Sequence, residues 1–149
     1  MDLKKCYLGE IVVTYEKAEQ PTTYIIRNSA DASKPIKEMI SGDMLIKERF
    51  IVLYLNRSNT IMFAEVHTIG TSTGTQVDVK DIVRRAIASG AHGLIVGHNH
   101  PSGALIPSEN DKRMTRKLND GLDMFDIKLL DHLIVTDSGY FSFSDQGLV

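Results

Sequence analysis

Apolar residues follow two rhythms along this chain, and the changes between them mark out elements. Residues 30–40 carry Ala32, Ile36, Met39 and Ile40 at helical spacing, with Ser and Asp residues suited to a helix start and Gly42 just past the end. Pro35 is expected in or near the first turn of that helix, where its missing N–H does no harm. Residues 49–55 are rich in strand-favouring side chains, and Asn56-Arg57-Ser58-Asn59 supplies turn chemistry. Residues 61–69 alternate well enough to return as the hairpin partner, ending at Gly70. Residues 78–89 then place Val79, Ile82, Val83, Ala86 and Ile87 on one helical face, closed by Gly90. A short apolar run bounded by glycines, 93–97, suits a buried strand. After a loop at 99–107, residues 108–124 read as a helix, and 127–136 with 140–143 as a second hairpin around Asp137-Ser138-Gly139. Residues 7–15 and 24–27 look extended, with a polar connection around Pro21. This interleaving predicts the α/β class: one domain, a mixed β-sheet flanked by helices in a sandwich. The order of strands in space does not follow from the pattern.

Composition narrows the picture. A chain of 149 residues, 42% hydrophobic, has room for one domain with a real core. No repeat, low-complexity tract or linker interrupts it, so residues 1–28 are expected to be an N-terminal extension packed on or preceding a core at 29–149. The net charge of -2 gives no general electrostatic reason to expect a nucleic-acid partner. The run from Lys112 to Lys117 is the best local basic patch, and a solvated helix face is its plainer explanation. Cys6 is the single cysteine, so neither an internal disulfide nor a cysteine zinc site can form. With no signal-type stretch and no apolar spanning run, a cytoplasmic protein without a membrane role is expected.

Candidate chemistry begins at His98 and His100. If the strand continues through His98, residues two apart share a face and two imidazoles can bite one ion. Pro101 stops the strand, and Gly103 lets the chain turn. Ser108 is a good helix N-cap, and Asp111 falls in the first turn. Ser108-Glu109-Asn110-Asp111 is close to a capping box, which explains both residues without a metal. The two roles are compatible, because a carboxylate held by the first turn is already oriented to ligate. Two His and one carboxylate, with a fourth position for water, are the ligand count of catalytic zinc. Such a site needs a carboxylate base outside the ligand set, and Glu48, at the opening of the first long strand, is the candidate, set against an ordinary solvated Glu between Lys47 and Arg49. His67 and His92 read as surface or boundary residues. His132 lies in an apolar strand after Asp131. It is either a buried, satisfied histidine or, with Asp131, a partner for the second nitrogen of a ligating imidazole.

The wording His98-Asn99-His100-Pro101-Ser102-Gly103, followed by Pro107-Ser108-Glu109-Asn110-Asp111, resembles the JAMM motif of the JAB/MPN metalloprotease-like proteins, in the form of the bacterial RadC group. Glu48-Arg49-Phe50, Leu55-Asn56, Gly70-Thr71, Ala91, Leu130-Asp131-His132-Leu133-Ile134 and Tyr140-Phe141-Ser142-Phe143 extend the match over residues 29–149. The resemblance implies a JAB/MPN-like sandwich of cytidine-deaminase type and one zinc ion per chain on His98, His100 and Asp111. It also implies that Glu48 is the general base, that Ser108 donates to the tetrahedral oxyanion, and that the reaction is hydrolysis of a peptide or isopeptide bond in a protein or peptide partner. The group's usual helix-hairpin-helix preface has no counterpart in the first 28 residues, so a short form is expected. Asp78-Val79-Lys80-Asp81 stands where Pro-Arg-Glu is usual, which leaves the helix start there open. Two other readings stand beside hydrolysis: a DNA-associated repair factor or metal-dependent nuclease, after the group's name, and a catalytically silent zinc-binding interaction module. The intact set of Glu48, His98, His100, Ser108 and Asp111 argues against the silent module.

Overall fold

Alternation along one strand, β1 (Arg49–Leu55), divides the core in two. Six of its seven residues are buried, and successive side chains leave on opposite faces. Phe50, Val52 and Tyr54 pack with Ile82, Ala86, Leu118 and Leu122, while Ile51, Leu53 and Leu55 pack with Ile36 and Ile40. The computed structural model describes residues 12–14, 23–70 and 76–149. Of the segment 7–15 expected to be extended, all but 12–14 lies outside the described residues, as does most of the expected extension at 1–28.

The other elements are α1 (Ser29–Ile40), β2 (Ile61–Ile69), α2 (Val79–Ser89), β3 (Gly93–Asn99), α3 (Glu109–Asp123), β4 (Lys128–Val135) and β5 (Tyr140–Ser142). They build one α/β domain whose five-stranded mixed sheet has the order β2-β1-β3-β4-β5. β1 runs antiparallel to both β2 and β3, β3 parallel to β4, and β4 antiparallel to β5. The single parallel step needs a crossover, which α3 provides. Helix α1 covers one face, and α2 and α3 cover the other.

Two details correct or complete the reading from sequence. Asn28 caps α1 by accepting from the Asp31 N–H, so the helix starts at Ser29 and Pro35 falls inside it, beyond the first turn. Proline at that position leaves the Asp31 carbonyl without its N–H partner. The Tyr24 hydroxyl fills the gap by donating to that carbonyl at 3.0 Å. The open helix start at Asp78 is also explained: the Asp78 side chain accepts from the Asp81 N–H and caps α2.

The register in the sheet decides which side chains reach which layer. Between β3 and β4, Leu94 pairs with Leu129 but Ile95 pairs with Asp131, so Leu130 is an extra residue. That bulge sends Asp131 to the α1 face with Ile95, and His132 to the opposite face beside Val96. Gly97 is forced by contact. A Cβ there would lie 2.8 Å from two methyl carbons of Ile36. Gly97→Ala is therefore expected to destabilise the fold by about 1–3 kcal/mol through overpacking, measured by denaturant unfolding. A neutral effect would show that α1 does not press on β3 as described.

Candidate metal centre

β3 is the middle strand, and its seven residues are all buried. It runs two residues beyond the expected 93–97, so His98 leaves from regular strand on the α2/α3 side, paired with Phe50 and Ile134. Asn99 faces the other way. Its side-chain oxygen accepts from the Arg49 N–H at 2.8 Å, and its amide nitrogen donates to the carbonyls of Met44 and Lys47 at 2.9 and 2.8 Å. One buried amide thus ties the end of β3 to the segment that carries Glu48.

His100 follows directly. The chain then turns at Gly103, whose φ of 79° favours glycine, with the Gly103 N–H bonded to the His100 carbonyl. The Nδ1 of His100 lies 2.8 Å from the Ala104 carbonyl. A carbonyl only accepts, so Nδ1 carries a proton; in the neutral ring Nε2 presents a lone pair, and in the protonated ring it donates to Asp111. Ser108 caps α3 in a full capping box: its Oγ accepts from the Asp111 N–H at 3.0 Å, and its own N–H donates to Asp111 Oδ2 at 2.8 Å. The capping role and the candidate ligand position coincide in one carboxylate.

These segments converge. His98 Nε2 lies 2.9 Å from His100 Nε2 and 3.3 Å from Asp111 Oδ1, and His100 Nε2 lies 3.4 Å from Asp111 Oδ2. Among the described residues, His98, His100 and Asp111 form the one group of His, Cys, Asp or Glu close enough to share a metal ion. Electrostatics agree with the geometry. Burial pushes the Asp111 carboxyl up, but hydrogen bonding with His100 and His98 outweighs it and holds the carboxyl far below its usual range. The same contact with Asp111 raises the pKa of His100 against the opposing effect of burial, with help from the Ala104 carbonyl and the Glu48 charge.

Glu48, Ser108 and the three clustered residues line one open groove of about 870 Å³, together with Phe50, Val77, Asp78, Val79 and Met114. Ser108 Oγ accepts within the capping box and keeps its own proton available to a group in the groove. From the basic run, Arg113 and Lys117 reach the groove wall, while Lys112 pairs with Glu109.

The two expected partners of the histidine pair part company. His132 Nε2 lies 2.8 Å from His98 Nδ1, with the His132 ring wholly buried. Asp131 sits on the other face, where it accepts from the Ser142 hydroxyl at 2.6 Å and the Ser144 N–H at 2.9 Å. It fastens the C-terminal turn rather than the histidines, and so seats Phe143 against the His132 ring at a centroid distance of 4.5 Å. His67 is buried between Glu65 and Asp81 in side-chain terms, and exposed His92 accepts from Arg57. Reading the sequence missed Asn99 and Thr115. The first was available from strand alternation, since a residue between two same-face histidines must face the opposite layer.

A mixed sheet whose middle strand runs out through His-x-His, with an Asp in the first turn of the next helix, defines an α/β domain built around a candidate metal site. The chain belongs to the RadC-like JAB domain family, which residues 26–148 match. It is 43% identical over 123 residues to a UPF0758 protein of Flavobacterium johnsoniae, covering 83% of this chain and 53% of that protein. A UPF0758 protein of Vibrio atlanticus is 40% identical over 103 residues, 69% of this chain and 46% of its own. A UPF0758 protein of Xanthomonas axonopodis pv. citri is 46% identical over 101 residues, 67% of this chain and 44% of its own. The chain thus spans about half the length of the curated relatives it matches. Among the described residues no helix is long and apolar enough to cross a membrane.

Asn99→Ala removes three hydrogen bonds from a buried junction. It is expected to lower stability by about 2 kcal/mol or more, since buried groups left unpaired cost roughly 1–3 kcal/mol each. Amide exchange of Arg49 should accelerate with it, and an unchanged rate would show that Asn99 does not hold the Glu48 segment.

Proposed function

We propose that this chain is a zinc-dependent hydrolase that cleaves a peptide or isopeptide bond. The observation that carries the reading is the convergence of two imidazole nitrogens and one carboxylate at 2.9 to 3.4 Å from one another, beside a second carboxylate in an open groove. Atoms about 2.0–2.1 Å from a tetrahedral zinc lie roughly 3.3 Å apart, so the donor set fits this ion with little adjustment. Three protein ligands leave a fourth position open, the pattern of catalytic rather than structural zinc. Zinc held there supplies Lewis acidity, polarising a carbonyl and bringing the pKa of a water to roughly 7.

The remaining work falls to the chain. Glu48 takes the proton of the attacking water and returns it to the departing amine. The Ser108 hydroxyl donates to the oxygen on which charge develops, an interaction strongest near the transition state. Asn99 holds the Glu48 segment against the end of β3, which keeps base and ligands in one frame. The groove gives an extended polypeptide room beside the site. A nucleic-acid substrate finds less support, because the chain carries a net charge of -2 and polyanion binding depends on many cations.

Metal analysis should find about one zinc per chain in wild type and none in His98→Ala. Glu48→Gln should keep its zinc yet lose about a hundredfold or more in turnover on a panel of peptide, isopeptide and DNA substrates. DNA cleavage that persists in Glu48→Gln would sink the mechanism, and zinc binding without turnover on any substrate would favour a silent interaction module.

The pH dependence of metal affinity has a defined sign. A proton on His100 Nε2 uses the same lone pair as the ion, and Asp111 raises the affinity for that proton. Zinc affinity, measured by chelator competition, should therefore weaken on acidification starting above the ordinary histidine midpoint of about 6.5. A flat profile down to that midpoint would contradict ligation by His100.

A further inference from the structure

His100 has its tautomer fixed by a carbonyl, but His98 does not. The neighbour of His98 Nδ1 is another imidazole nitrogen, His132 Nε2, at 2.8 Å. Either ring can donate in such a pair, and the two arrangements have opposite consequences. If His98 donates through Nδ1, its Nε2 lone pair faces Asp111 and His100. If His132 donates, His98 must carry its proton on Nε2, where it blocks any ion.

Proton counting further along the chain decides between them. His132 Nδ1 lies 2.7 Å from the Thr115 hydroxyl oxygen. That hydroxyl has one proton, and it lies 2.6 Å from the Asp111 carbonyl, to which it donates. A carbonyl offers no proton in return, and two oxygens at that separation repel unless a proton lies between them. Thr115 can therefore only accept from His132, so Nδ1 of His132 is the protonated nitrogen. His132 Nε2 is then an acceptor, and His98 must donate to it. The sequence runs from the Asp111 carbonyl through Thr115 and His132 to His98, and Thr115, His132 and His98 are all buried. Phe143 stacks on the His132 ring at an interplanar angle of 13° and Phe50 meets its edge, which holds the ring in plane for both contacts.

We propose that Thr115 and His132 are positioning residues that fix His98 as its Nδ1–H tautomer and so aim its Nε2 lone pair into the site. Its consequence for affinity rests on the metal reading above, whereas the tautomer assignment stands without it. In the metal-free protein at mildly alkaline pH, long-range ¹H–¹⁵N spectra should show both His98 and His132 protonated on Nδ1. Thr115→Val keeps the shape but removes the acceptor for His132 Nδ1–H. The buried pair is then expected to invert, with both rings protonated on Nε2, and zinc affinity to fall by about tenfold to a hundredfold. Thr115→Ser should restore both the spectrum and the affinity. Wild-type His98 without a proton on Nδ1 would overturn the proposal, as would Thr115→Val that loses stability while tautomers and zinc affinity stay unchanged. Nδ1–H tautomers in a wild type that binds no zinc would support the relay and defeat the metal reading instead.

Discussion

In β3 every side chain is buried, so the two-residue period of a strand has a consequence at each position. Val96 fills one layer, Gly97 yields to Ile36 in the other, His98 returns to the first and Asn99 to the second. A slip of one residue would put the imidazole among the aliphatic side chains of α1 and leave the amide without its three partners. Flanking strands reinforce the setting. β1 pairs with β3 without a break from Phe50 to Leu55, whereas β4 needs a bulge at Leu130 to bring His132 level with Val96. The irregularity lies where a polar ring has to be delivered to a helix-covered face.

Two buried polar groups neighbouring each other in sequence, Asp131 and His132, do different work because of that alternation. Burial raises the pKa of Asp131 while bonds from Ser142, Ser144 and His132 oppose it, so the carboxylate is satisfied by the C-terminal turn it fastens. Burial lowers that of His132 well below the ordinary histidine value, and the ring remains neutral between Thr115 and His98. One residue secures the edge of the sheet; the next contacts the His98 ring. The division keeps formal charge away from the back of the site, where Phe50 and Phe143 enclose the ring.

Much of this was legible in the chain itself. Period and punctuation mark the helices and strands, because each element has one apolar face or two and most end beside Gly, Asn or Ser. The triad of His98, His100 and Asp111 could be assembled from spacing, since a strand exit and a helix start are both short and directional. Pro35 lies deeper in α1 than a local rule about proline predicts, because that rule takes no account of a distant hydroxyl and Tyr24 supplies one. Thr115 gave no signal, as a threonine on a helix has the same local pattern whether it meets water or an imidazole. Strand order and the bulge at Leu130 lay beyond reach, because both are set by long-range packing.

The capping box at the start of α3 has a wider consequence. Asp111 Oδ2 accepts the Ser108 N–H while the same carboxylate faces two imidazoles, so the winding of the first helical turn and the candidate metal centre draw on one group. Linkage then runs in both directions: whatever holds the carboxylate in place stiffens the helix start, and whatever unwinds that turn releases the carboxylate from the two imidazoles. The domain has no separate scaffold and centre at this point. Its local folding equilibrium is coupled to the position of one carboxylate.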